Sequence, residues 1–209
     1  MLRVGANTFS RYEVFMSTFQ KKATNTDTGD FELPPIGVHP ASLVSLIDLG
    51  THTREFQGKA SDSQRIFLTW ELCGEKDSKG APFVVGQEFT WSLHKKAKLR
   101  ALIKGFLGRD LEEGEDFDLA SMVGAPAIIT LSEGTTGSGK RFVEITGLAP
   151  PMKGFACPPP TLSPFLFGVG DLNSTLDDIP IPEWVPRTYG KTIVDVIKDS
   201  KEFGNLPNF

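Results

Sequence analysis

The chain of 209 residues, 39% hydrophobic and 23% charged, holds one domain of ordinary size with an appendage, or two very small domains, and is too apolar to be disordered. No run of about 18 apolar residues offers a membrane span, and the first residues lack the apolar stretch and small-residue cleavage site of a secretory signal. The net charge of −4 argues against a nucleic-acid partner only as an average, because charge is unevenly distributed.

Residues 1–35 are polar, rich in Thr, Asn and Asp around TNTDTGD, and end at Pro34–Pro35, which predicts a flexible N-terminal arm. Met16 is a plausible alternative start. Regular structure begins after Pro40. The β-branched and apolar segment 41–49 predicts the first strand, and 50–63 reads as a polar loop carrying Arg54, Phe56 and Lys59. Strand two, 64–72, alternates strictly. Ile66, Leu68, Trp70 and Leu72 face inward, while Arg65, Phe67, Thr69 and Glu71 face outward. A turn over GEKDSKG leads into strand three, 82–93, where Gly86 is a candidate bulge and Phe89 a candidate core residue. Trp91, at the strand end, stands open between core and surface.

Leu99, Leu102, Ile103 and Phe106 at i, i+3, i+4 and i+7 predict a helix from about His94 to Leu107, with Ser92 as N-cap and Gly108 as stop. A short helical turn falls at DLASMVG. Strands four and five follow at 126–131 and 141–148. Three strands, a helix and two strands is the order of a mainly β, five-stranded OB-type Greek-key barrel over residues 36–150. Another small barrel or an unrelated α+β fold shares parts of that order. Residues 151–209 begin with a proline-rich stretch that cannot enter a sheet interior. They predict a strap laying Phe155, Phe165 and Phe167 on the barrel, or a linker, then a last helix near 191–203.

Enzyme signals are absent where they would be decisive. GTTGSGK (134–140) has the spacing of a phosphate loop, but Arg141 replaces the required Ser or Thr and a strand follows instead of a helix, so it reads as a hairpin turn. His39, His52 and His94 sit apart, without metal-ligand spacing, and DLEEGEDFD lacks the register of a calcium loop. The expectation is a protein with neither catalysis, cofactor nor metal. Cys73 and Cys157, far apart and without an export signal, read as reduced thiols in a cytoplasm.

Charge and aromatic placement carry the positive signal. From Trp91 to Arg109 six basic residues occur without an acid, and from Asp110 to Asp118 six acids without a base, a loop able to partner the basic helix. Lys95, Lys96 and Lys98 crowd the positive end of the helix dipole, a merely solvated face or an invitation to an external anion such as phosphate. An OB groove runs over strands two and three, flanked by the loops after strands one and four. Those places carry Arg54, Phe56 and Lys59, then Arg65 and Phe67, then Lys140, Arg141 and Phe142. Cations for backbone phosphates beside rings for bases describe a single-stranded nucleic-acid site.

LPPIGVHPASLVSLIDLGT, FLTWEL, FVVGQEFTWSLHKKAKLR, FDLASMVGAPAIITL and a later IPEW, together spanning about residues 31–186, resemble a family of bacteriophage-encoded single-stranded-DNA-binding proteins. KKAKLR is denser in lysine than the family form, and the arm before Met16 is additional. The resemblance implies an OB-type fold, a role in phage DNA replication or recombination alongside phage or host proteins, and the bacterial host cytoplasm. A phage module that captures or inhibits a host protein is the rival reading.

Overall fold

The computed structural model describes residues 32–56, 58–154, 157–169 and 181–205. The predicted arm up to Phe31 and Phe155 of the strap lie outside the described residues.

The five long strands occur in the predicted order: β1 (Gly37–Phe56), β2 (Lys59–Lys76), β3 (Pro82–Thr90), β4 (Pro126–Thr135) and β5 (Arg141–Ala149). They form one antiparallel sheet in the order β3-β2-β1-β4-β5. Among the described residues no backbone ladder joins β3 to β5, so the sheet is open. Its two edges meet through a side chain, the Gln87 Oε1 accepting from the Ile145 N–H at 3.1 Å. The fold is mainly β.

The polar segment 50–63 is not a loop. β1 and β2 continue past the sheet as a two-stranded ribbon, paired from Thr51↔Gln64 to Phe56↔Lys59. Both ribbon faces meet solvent over most of its length, so polar residues suffice and no apolar alternation marks the strands.

Strand two keeps its predicted inward set, whereas Phe67, Thr69 and Glu71, expected to face outward, are buried as well. Ile66, Leu68, Trp70 and Leu72 enter the main core with Leu43, Phe83, Val85, Phe89 and Ile129. Helix α1 spans Lys98–Leu107 rather than starting at His94. Residues 94–97 make a separate turn, closed by Ala97 N–H to the His94 carbonyl at 2.8 Å, and Ser92 caps only that turn. Leu99, Leu102 and Ile103 are buried against the sheet, and Gly108 ends the helix at φ 70°. A 3-10 turn, Leu119–Met122, falls within the predicted DLASMVG turn and is capped by Asp118.

Helix α1 touches both β3 and β5, and at Gly105 it comes closest. A Cβ there would stand 2.2 Å from the Leu148 carbonyl oxygen. Gly105→Ala gains about 1 kcal/mol of helix propensity but must push the helix off a backbone atom, an overpacking that costs about 1–3 kcal/mol. Urea denaturation is expected to show net destabilisation; equal or greater stability would contradict this packing.

The segment after β5 is more than an appendage. It belongs to the same compact unit as the sheet, which begins at Glu32. β6 (Phe165–Phe167) pairs in parallel with Ser45–Ile47 of β1, and the single predicted helix is two short ones, α2 (Ile193–Lys198) and α3 (Lys201–Gly204), separated at Asp199–Ser200. Ile193, Val196 and Ile197 of α2 form a second core with Ile47, Leu49, Phe67 and Val169, against which Phe165 and Phe167 also pack. The outer side of β1 and β2 is therefore an interior surface.

Three further attachments hold the segment. The buried Glu71 carboxylate accepts from Thr161 N–H and Oγ1–H, both at 2.8 Å, and from Leu162 N–H at 2.9 Å. Glu202 of α3 accepts from Thr51 N–H and Oγ1–H. The third corrects the reduced-thiol expectation: Cys73 and Cys157 are joined as a disulfide, their Cα atoms 6.3 Å apart. The strap brings Cys157 back over the end of β2, a proximity that a sequence separation of 84 does not reveal. No helix among the described residues is long and apolar enough to cross a membrane.

Candidate nucleic-acid interface

The outward face of strand two does not serve as predicted. Phe67 is 1% exposed, its ring lying across Gly86, where a Cβ would stand 2.3 Å from the ring's Cζ. Gly86 is thus a seat for an aromatic ring and not a bulge, since β2 and β3 stay in register through Thr69↔Gly86. Arg65 is also withdrawn: its guanidinium, 11% exposed, donates to Glu88 at 2.8 Å. Neither side chain faces solvent as a phosphate or base contact would.

The basic run sorts itself by partner. Arg100 donates to Asp110 at 2.9 Å and to the Leu93 and Leu111 carbonyls, Lys104 also faces Asp110, and Arg109 grips Glu115 at 2.6 Å. The acidic stretch thus neutralises the C-terminal half of the run. Lys95, Lys96 and Lys98 are exposed and make no ion pair among the described residues.

The Arg109 guanidinium and the Glu112 N–H hold the Glu115 carboxyl down to about 2. A depressed carboxylate contributes stability that is fully present above its unfolded value near 4.5 and is lost as pH falls through about 2. The stability difference between the native protein and Glu115→Gln is therefore expected to be present at pH 5 and gone near pH 2. A difference unchanged across that window in urea titrations would refute the latch.

Lys96 and Lys98 reach a groove of about 590 Å³. Its walls come from distant elements: Arg54 from the ribbon, Glu88 and Thr90 from β3, Ser92, His94 and Lys96 from the connection to α1, Lys98 from the first position of α1, and Tyr189 from the C-terminal segment. Glu88 is the acid in this lining. Burial pushes its carboxyl above the usual range, opposed by Arg54, and its Oε1 meets both Arg65 and Arg54, the latter at 3.4 Å. Two arginines around one carboxylate leave the groove cationic once Lys96 and Lys98 are added.

The other predicted contacts lie around this groove or away from it. Trp91 follows the lining residue Thr90 and is 44% exposed, its backbone N–H fixed to the Gln64 carbonyl at 2.8 Å. That settles the open reading of Trp91 in favour of the surface, whereas Phe89 is core. Lys95 lines a separate depression with Leu93, Arg100 and Asp110. Lys59 is exposed at the ribbon tip beside Phe56, whose side chain lies outside the described residues. Lys140, Arg141 and Phe142 sit on the β4–β5 hairpin, confirming that GTTGSGK is a turn, and none of them lines the groove. Arg141 pairs with Glu133 at 3.2 Å, and the half-exposed Phe142 ring lies over Gly134 across the ladder.

Tyr189 was not anticipated. Its signal in the sequence is a Tyr-Gly pair between Thr188 and Lys191, a two-residue turn carrying an aromatic where Asn is usual. The chain matches no protein-family model and no curated protein.

Proposed function

We propose that the protein binds single-stranded DNA without sequence preference, the backbone lying in the groove of Arg54, Lys96 and Lys98. The observation that carries this reading is the convergence of cations from the ribbon, the connection before α1 and α1 itself, none of them needed for the core, at the end of β3 where the exposed Trp91 follows the lining residue Thr90. Phosphates take fixed cations and bases take exposed rings, whereas a duplex keeps its bases stacked on one another. Lys59 at the ribbon tip, Lys95, and the hairpin residues Lys140, Arg141 and Phe142 lie outside the groove and serve in this reading as secondary contacts for a longer strand.

The sheet is read as an OB-type barrel whose closure is completed by side chains. Strand order, the helix between β3 and β4, and the Gln87–Ile145 contact favour it. With the resemblance to bacteriophage-encoded single-strand binders, the reading extends to phage replication or recombination in a bacterial cytoplasm. Reduction of Cys73–Cys157 there leaves the C-terminal segment held by Glu71, Glu202 and the β6 ladder.

Titration of a labelled oligothymidine at 50 and 300 mM salt, followed by anisotropy, tests the proposal. Three to five neutralised phosphates give a log K against log salt slope of roughly −2 to −3.5. Duplex DNA of equal length is expected to bind far more weakly. No binding at 50 mM, or equal affinity for duplex, would end it and leave capture of a host protein as the reading to pursue.

A further inference from the structure

We infer that Tyr189 is a base-stacking platform which the C-terminal segment contributes to the groove, an inference that rests on the single-strand reading above. The ring is 84% exposed, the most exposed large apolar side chain among the described residues, yet it lines the same groove as Arg54, Lys96 and Lys98. Its backbone is unusual as well: Tyr189 is the one non-glycine described residue at positive φ, 48°, followed by Gly190 at φ 80°. L side chains meet steric cost in that region, and burial of the ring returns nothing here. Asn or Gly would make the same turn with less strain, so the turn does not require a tyrosine.

The turn is also held rigidly. Thr188 and Lys191 exchange both backbone hydrogen bonds, at 3.0 and 2.9 Å, and Thr188 is buried. Lys191 Nζ donates to Asp199 at 2.6 Å, and the next residue, Thr192, caps α2 in a reciprocal capping box with Asp195. A large flat ring carried on a rigid turn at the rim of a cationic groove offers a face on which a base can stack. The C-terminal segment therefore has two uses: one side completes the second core, and its tip completes the binding site.

Tyr189→Ala and Tyr189→Gly are compared with Tyr189→Phe by oligothymidine anisotropy and by an abasic deoxyribose-phosphate strand of equal length. The Ala and Gly variants are expected to bind oligothymidine about 5- to 140-fold more weakly, the span of one stacked base. The Phe variant should match the native protein, thermal midpoints should hold or rise for the Gly variant, and the salt slope should not change. On the abasic strand all four proteins should bind alike. Unchanged oligothymidine affinity in the Ala and Gly variants, or a deficit that persists on the abasic strand, overturns the stacking role. If the native protein binds the oligonucleotide and only the groove cations matter, the single-strand reading survives and this inference fails; if the native protein does not bind, both fall.

Discussion

Phe67→Ala is expected to destabilise the protein by about 3–5 kcal/mol, the cost of emptying a fully buried aromatic site. The ring lies over Gly86 of β3 inside the second core that α2 completes, so its removal leaves a cavity in a packed layer. Urea unfolding at pH 7 reads the loss, and Phe67→Leu should recover much of it. Oligothymidine affinity of the fraction still folded should be unchanged, because the ring does not reach the groove. A stability loss below about 1 kcal/mol, accompanied by weaker binding, would restore the outward-facing ring expected from strand alternation and refute the second core.

The second large effect is electrostatic. Replacing Arg54, Lys96 and Lys98 together by Ala removes three phosphate partners, which should reduce the magnitude of the salt slope by about 2, at roughly 0.7 per contact on a single strand. Extrapolated from molar salt, where the electrostatic contribution vanishes, this amounts to about a 10²- to 10³-fold loss at 50 mM. Stability should change little, since Lys96 and Lys98 make no ion pair among the described residues and Arg54 is a long-range, mostly exposed partner of Glu88. Anisotropy across a salt series, with urea unfolding of the same variant, separates the two quantities. An unaltered slope would place the phosphates elsewhere, the β4–β5 hairpin with Lys140 being the next surface to test.

The main core was legible because its code is local. Alternation at Ile66, Leu68, Trp70 and Leu72, the Leu99–Leu102–Ile103 stripe and the Gly-rich turn before Arg141 each specify their structure within a few residues. The second core was not, because alternation distinguishes two faces of a strand without saying whether the outer one meets water or another layer. Ile47 and Leu49 on β1 and the Ile193–Val196–Ile197 stripe each looked like ordinary apolar positions, and Phe67 on β2 looked like an exposed ring; only their assembly gives them meaning. The ribbon escaped notice for the opposite reason, having no buried face to impose a pattern. At the candidate site, Lys96 and Lys98 were identified by their lack of nearby acids, while Arg65 and Phe67 misled because their partners, Glu88 and α2, are brought to them by the tertiary fold.

The anchoring of Glu202 on Thr51 joins residues 151 apart in sequence. A ribosome adding about 5–20 residues per second needs roughly 8–30 s to travel that distance. During that interval the growing polypeptide can pair its first two strands while the side bearing Ile47, Leu49 and Phe67 has no cover, because α2 has not yet been made. The nascent sheet is thus adhesive on one side until translation is nearly finished, and a message cut short before α2 yields a product fated for chaperones or aggregates.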